Sequence, residues 1–127
     1  MTALVLDGGA LIAVDAGDRA MIARLRAAAD AGFDLRTHPF VVAQAWRDPR
    51  GRQANLARLL RAVDVVPIDE AFGRRCGELL GATGTSDPID AAAVLLARDG
   101  DRIATGDRED VERLAAAAHR RVIVVAV

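Results

Sequence analysis

Short apolar runs alternate along this chain with longer segments in which apolar residues recur every three or four positions. The runs have the length and composition of buried strands. Strands are therefore predicted, in chain order, at 3–7, 33–36, 63–68, 102–105 and 122–127. Runs that are apolar on both faces are typical of parallel strands covered by helices on each side.

The segments between these runs predict helices. In 19–31, Met21, Ile22 and Leu25 recur at helical spacing, and Asp18 is a typical N-cap. Further helices are predicted around 11–14, from 37 to just beyond 46, and from after the turn at 48–51 to about 62. Three more are predicted from 69 to about 81–84, from 85 to 100, and over 109–118. Strands alternating with helices indicate an α/β fold: three layers, α/β/α, around a mostly parallel central sheet. We expect one domain spanning 1–127.

Composition agrees with an ordinary globular chain. Of the 127 residues, 52% are hydrophobic and 28% charged, which argues against disorder. A single cysteine, Cys76, rules out an intrachain disulfide and favours a reducing cytoplasm. No apolar run approaches the ~18 residues of a membrane span, so no membrane association is expected.

Missing residue types exclude several kinds of chemistry. The cationic residues are all arginine, so a P-loop lysine or a lysine Schiff base is impossible. His38 and His119 lack zinc-ligand spacing, and we expect both to be structural or surface residues. Carboxylates remain in quantity, although the net charge of −1 gives no basic surplus that would indicate nucleic-acid binding.

Three aspartates occupy informative positions. Asp7 ends the first predicted strand, Asp107 closely follows the fourth, and Asp90 opens an alanine-rich helix. In open α/β sheets, ligands bind beyond the carboxyl ends of the strands, so we expect these carboxylates to converge at one edge. Clustered carboxylates repel one another and suit Mg²⁺ or Mn²⁺. The pattern therefore predicts metal-assisted cleavage of a phosphodiester.

The same residues carry a resemblance to a known family. Leu6-Asp7 followed by Ala10–Ala13, then Asp90 heading its helix, then Thr105-Gly106-Asp107, resembles the PIN domain. More closely, the pattern resembles the small bacterial PIN proteins that are the VapC toxins of VapBC toxin–antitoxin pairs. The resemblance implies an endoribonuclease that depends on Mg²⁺ or Mn²⁺ and cuts RNA. It also implies inhibition by a cognate antitoxin protein and, commonly, a homodimer.

Carried over residue by residue, Asp7, Asp90 and Asp107 match three acids of the family, and the resemblance makes them catalytic and metal-binding residues. The fourth family acid, usually a glutamate, falls at Gln44. Gln44 is neutral, so it can ligate a metal but supplies no charge. An alternative reading follows: a PIN-fold module that binds RNA or protein with little or no nuclease activity.

Asp87 and Asp110 are candidates to restore the missing charge. An aspartate at a helix start is more often an N-cap than a ligand, and we expect a cap at Asp87. For Asp110 both readings stay open. Asp7 is the aspartate for which a capping role is least expected, because it ends a buried strand and precedes two glycines.

Further candidates surround these acids. Thr105 and Ser86 are expected to hydrogen-bond to the acid cluster directly or through water. Arg47, Arg50 and Arg52 follow Gln44 and are candidates for contacts to the RNA backbone. A solvated turn is the simpler reading of that arginine-rich segment.

Overall fold

The computed structural model describes residues 1–85 and 87–127, and its framework is a five-stranded sheet. The strands are β1 (Ala3–Leu6), β2 (Asp34–Thr37), β3 (Asp64–Val65), β4 (Arg102–Thr105) and β5 (Ile123–Ala126). The helices are α1 (Gly8–Asp15), α2 (Arg19–Asp30), α3 (Pro39–Ala45), α4 (Ala54–Leu60), α5 (Glu70–Thr83), α6 (Pro88–Leu96) and α7 (Arg108–Ala117).

All five strands are parallel, in the order β3-β2-β1-β4-β5. From β1 the chain first adds β2 and β3 on one side and then crosses over to add β4 and β5 on the other. The order therefore reverses between β1 and β4. Ligands of open parallel sheets bind outside the carboxyl ends of the strands at such a point.

Helices cover both faces of the sheet, which confirms the predicted three layers. On one face, α1 to α4 pack on Leu4, Leu6 and Leu35. On the other, α5 to α7 pack on Val5 and Ile103. Consecutive residues of β1 thus enter opposite cores, and all four of its residues are buried. This is why its sequence is an unbroken apolar run.

The third strand is shorter than the sequence indicates, and the prediction of a strand over 63–68 is wrong. The pairing with β2 covers Asp64 and Val65, and Val66 adds one further bond to the Thr37 carbonyl. The ladder stops there because β2 itself ends at Thr37, and Pro67, which follows, is tolerated because β3 is an edge strand. The chain leaves the sheet there, and Asp69 caps α5 with its side chain.

The junction after β2 also differs from the prediction. Thr37 belongs to β2, where its hydroxyl donates to the Leu6 carbonyl at 2.8 Å. The helix α3 begins one step later, at Pro39, with His38 as its N-cap residue. The His38 ring is fully buried and its Nε2 lies 3.0 Å from the Ile89 carbonyl oxygen of α6. Burial lowers the pKa of His38, so the ring is held neutral, in agreement with a structural role.

One buried acid, Asp101, has a purely structural environment. Its Oδ1 accepts from the Ala3 N–H and its Oδ2 from the Arg98 N–H, each at 2.8 Å. The side chain thereby joins the start of β1 to the turn that precedes β4. No helix in the described part of the chain is both long enough and apolar enough to cross a membrane.

Candidate metal centre

Three carboxylates meet at the carboxyl edge of the sheet, from two different helices. Asp90 lies in the first turn of α6, Asp107 follows β4, and Asp110 lies in the first turn of α7. One oxygen from each can be chosen so that the three lie within 4.8 Å of one another. Such spacing allows the three oxygens to share one cation. Asp90 is buried, Asp110 half-buried and Asp107 exposed, so the cluster is open to solvent on one side.

The pKa of Asp90 reflects its burial and the negative charges that surround it. The residue is 8% exposed, and this loss of hydration, reinforced by neighbouring acids, raises the pKa of its carboxyl to about 7. The acids that contribute are, in order, Asp87, Asp107, Asp7 and Asp110. A bound cation would relieve the same repulsion and hold Asp90 ionised.

Within the described part of the chain, no hydrogen bond or ion pair engages the Asp107 carboxylate, so it can serve a ligand. Asp107 occupies the N-cap position of α7, but its side chain makes no capping bond. Its backbone N–H instead donates to the buried Thr105 hydroxyl at 2.9 Å. Thr105 therefore contacts the main chain of an acid rather than a carboxylate, and it holds the turn that presents Asp107.

Asp7 lies beside this group but is not one of the three closely spaced acids. Contrary to expectation, it caps a helix: its Oδ1 accepts from the Ala10 N–H of α1 at 3.3 Å. Its Oδ2 accepts from the Gly106 N–H at 2.9 Å. Asp7 thus connects the ends of β1 and β4 and fixes the loop just before Asp107. Each carboxylate oxygen still has a second lone pair available to a ligand.

Gln44 approaches the site from α3. Its half-buried side chain packs against Gly8, the residue after Asp7. A Cβ at position 8 would overlap the Gln44 amide, lying 3.0 Å from its Cδ and within van der Waals distance of its Oε1. Only glycine at this position lets the amide come so close to the first turn of α1.

The predicted cap at Asp87 is confirmed. Its Oδ1 accepts from the N–H groups of Ile89 at 2.9 Å and of Asp90 at 3.4 Å. Asp87 thereby orients the turn that carries Asp90 while adding negative charge beside it. Ser86, the other expected neighbour of the acids, lies outside the described residues.

The arginine-rich segment after α3 is largely engaged with the protein. The Arg47 guanidinium donates to the Trp46 carbonyl, and Arg52 lies 3.6 Å from Asp48. Arg50 is exposed, and its backbone N–H bonds the Asp48 carboxylate. These contacts fit the solvated-turn reading for Arg47 and Arg52.

Asp110 is the residue whose part in the cluster the sequence left undecided. The sequence does contain a signal that Asp107 and Asp110 can face the same ligand, because these positions lie three apart and share one face at the start of a helix. What the sequence does not contain is the distance between the ends of α6 and α7, which depends on how both pack on β1 and β4.

Comparison with known proteins supports the fold. Neither a protein-family model nor a curated protein matches this sequence. Among solved structures, the chain is similar to one in the crystal structure of VapBC2 from Rickettsia felis bound to a DNA fragment from their promoter. The TM-score is 0.70 over 99% of both chains, at 13% sequence identity. The predicted likeness to a PIN-like VapC protein is thus confirmed at the level of the fold.

Proposed function

We propose that this protein is an endoribonuclease dependent on Mg²⁺ or Mn²⁺, acting as the toxin of a toxin–antitoxin pair in the cytoplasm. The observation that carries the proposal is the meeting of Asp90, Asp107 and Asp110 at the reversal point of the sheet. The raised pKa of Asp90 adds to it, because burial and then the neighbouring acids disfavour the charged carboxylate, and a bound cation would offset both. When bound, a divalent cation stabilises charge on phosphate oxygens and lowers the pKa of a bound water.

The residues at the site have different proposed roles. Asp90, Asp107 and Asp110 are the proposed ligands, with Asp7 close enough to add charge and to orient a water. Asp7 and Thr105 also hold the loop before α7 through their bonds to the N–H groups of Gly106 and Asp107. A ligand set built on such fixed main chain requires little reorganisation when a cation binds.

RNA is the proposed substrate, and unpaired RNA the favoured form. A scissile phosphate must enter a cleft lined by acids, and single strands can splay a phosphate outward. Arg50 is the proposed backbone contact, since its exposed side chain has no acid partner among the described residues. Binding should then weaken as salt rises.

A matched pair of variants tests the nuclease. Asp107→Asn removes a proposed ligand that makes no capping bond, so the fold should survive. Glu109→Gln removes the same charge from the first turn of α7, at an exposed side chain paired with Arg113. With Mn²⁺ and single-stranded RNA, we expect Asp107→Asn to lose at least about 100-fold in cleavage rate, as for removal of one electrostatic contact to a reacting group. Glu109→Gln should cut normally. Equal rates for the two variants would refute the site.

Position 44 decides between a nuclease and a non-cleaving module. Gln44→Glu supplies the acid that the family has at this position, next to Gly8, and we expect it to tighten Mn²⁺ binding in calorimetric titration and to raise the cleavage rate. Gln44→Ala is the control, because it removes the amide without adding charge. If Gln44→Glu binds Mn²⁺ no better than the wild type, position 44 is not a ligand position. If neither the wild type nor Gln44→Glu cuts RNA, the protein is better explained as a PIN-fold binding module than as a nuclease.

The antitoxin partner is proposed from the structural neighbour, which is a VapBC2 complex, and the homodimer from the family resemblance of the sequence. Expression of the wild type alone should arrest growth, whereas Asp107→Asn should be harmless. A small neighbouring gene whose product restores growth and co-purifies with this chain would identify the antitoxin. Light scattering of the purified protein measures whether two copies associate.

A further inference from the structure

A second charged site lies away from the acids, in a cleft of about 420 Å³. Four arginines line it with a single acid: Arg36, Arg75, Arg98, Arg120 and Asp64. Its floor includes the two leucines that end α6. A local excess of three positive charges is notable in a chain whose net charge is −1.

The cleft and the acid cluster lie toward opposite ends of the same helices. Asp90 is in the first turn of α6, and Arg98 follows its last turn. Six residues of helix separate Asp90 from Leu96, or about 9 Å at 1.5 Å per residue. Likewise Asp110 opens α7 and Arg120 follows its end. The two sites are therefore separate, and each can be altered without touching the other.

Arg36 is the residue that most clearly needs a partner. Its side chain is only 18% exposed, yet its nearest acid, Asp64, lies 3.9 Å away and is itself 66% exposed. One guanidinium N–H donates to the Leu96 carbonyl at 3.3 Å. No other acceptor for this guanidinium occurs in the described part of the chain. A mostly buried cation compensated this weakly favours an anion in the cleft.

The backbone that carries two of the other arginines is connected around it. The Gly100 N–H donates to the Arg121 carbonyl at 2.7 Å, which joins the segment of Arg98 to that of Arg120. Arg75 lies over the Phe72 ring, 5.4 Å from its centroid. The dipoles of α6 and α7 account for basic residues at their ends, but not for Arg36 within a strand.

We propose that this arginine cleft binds a phosphate group, carried by a free nucleotide or by a nucleic-acid backbone. Guanidinium groups offer paired N–H donors that match phosphate oxygens. The proposal does not depend on the nuclease, because no residue of the acid cluster takes part in it.

The test uses full-length protein in the Asp107→Asn background with EDTA, so that cleavage plays no part. Pyrophosphate is titrated by NMR, and a 12-nucleotide single-stranded RNA by fluorescence anisotropy. We expect pyrophosphate to shift the signals of residues 95–98 and 120, and Arg98→Gln with Arg120→Gln to weaken its binding at least tenfold. Arg19→Gln with Arg61→Gln removes equal charge from exposed positions elsewhere and should change affinity less than twofold.

Asp64→Asn should change the affinity for pyrophosphate in the opposite direction, and a general loss of stability cannot produce such a change. Removing the one acid of the cleft should tighten pyrophosphate binding at least twofold. If the Arg98/Arg120 variant misfolds by circular dichroism, Arg75→Gln replaces it with the same expected direction. RNA binding that depends on these arginines identifies a nucleic-acid backbone as the source, and dependence for pyrophosphate alone identifies a free nucleotide. An absence of shifts at millimolar pyrophosphate, or equal losses in the control pair, overturns the proposal.

Discussion

The contact between Gly8 and Gln44 is a close approach beside the candidate metal centre. A methyl group at position 8 would displace the Gln44 amide, which is the end of a flexible side chain, and approach the Gln44 Cβ to 3.3 Å. This crowding costs about 1 kcal/mol, the lower limit for overpacking, and so offsets what the helix gains when alanine replaces glycine. We expect Gly8→Ala to leave the free energy of unfolding nearly unchanged, and Gln44→Ala to restore the gain in the double variant. Urea denaturation measures both.

Gly73→Ala is the control for this cycle. Gly73 lies in α5, and a Cβ there meets nothing within 4 Å. Helix propensity alone predicts a gain of about 0.8–1 kcal/mol for this variant. If Gly8→Ala behaves like Gly73→Ala, the packing of Gln44 against α1 is wrong.

The ionisation of Asp90 makes stability depend on pH in a definite direction. Its pKa is raised from 3.8 to about 7, so between these values the folded chain keeps a proton that the unfolded chain has released. Without divalent cations, stability should fall as pH rises from about 4 to about 7, by at most about 4 kcal/mol at roughly 1.4 kcal/mol per pKa unit. Asp90→Asn should therefore raise Tm at pH 8 in EDTA and leave it nearly unchanged at pH 4.

Glu78→Gln removes a charge from an exposed position in α5 and should shift Tm similarly at both pH values. A decrease in Tm for Asp90→Asn at pH 8 would mean that the carboxylate is stabilised by contacts rather than strained by repulsion.

At the residue scale, the sequence predicted which acids lie near the candidate metal centre more successfully than it predicted the hydrogen bonds that each acid makes. Asp87 was recognised as a cap because Pro88 follows it, a local signal. Asp7 was not, because it ends a buried strand and precedes two glycines, although the N–H that it caps, that of Ala10, lies only three positions further on. Its second bond, to the Gly106 N–H, joins positions 99 residues apart. Roles that depend on a neighbour from a distant strand leave no mark in the local pattern.

Among the elements, the turn between α6 and β4 depends on Asp101. Both of its carboxylate oxygens accept backbone N–H groups, and the side chain is 4% exposed. Asp101→Asn places an amide donor against one of these N–H groups, so we expect a loss of about 1–3 kcal/mol in unfolding free energy. Hydrogen exchange of the Ala3 and Arg98 amides should accelerate as well.

Asp99→Asn is the matched comparison for Asp101. Asp99 accepts one bond, from the Arg121 N–H, and it is exposed, so its loss should be smaller. Equal losses would show that burial of the Asp101 carboxylate adds nothing to the connection between β1 and β4.

The ends of helices and strands were predictable where a capping residue stands directly beside them in the sequence. The aspartate before α5 and the glycine after it set both ends of that helix, with Gly84 in the left-handed region at φ 70°. The prediction of the third strand failed because the mostly apolar segment 63–68 was taken as one strand, and its composition does not reveal where hydrogen bonding stops. Its length depends on how far β2 extends alongside it.

Across the whole molecule, the small net charge conceals a strong separation of charge. Acids gather where α6 and α7 begin, and arginines where they end. Summed over the chain these cancel to −1, which is why composition alone gave no sign of an anion-binding surface. The class and layering of the fold were predictable from the alternation of apolar runs. The order of the strands was not, because it depends on which edge each crossover reaches.

The central place of β1 has a consequence for how the chain is made. β1 pairs with β2 about 30 residues later but with β4 only about 98 residues later. A nascent chain can therefore close β3-β2-β1 early, while the other edge of β1 stays open until residue 105 has left the ribosome. Until then the core around Val5 lacks Ile103 and the residues of α7, and the exposed edge invites wrong pairing. We expect arrested chains that stop before β4 to require chaperones, and the acid edge to assemble in the final step of folding.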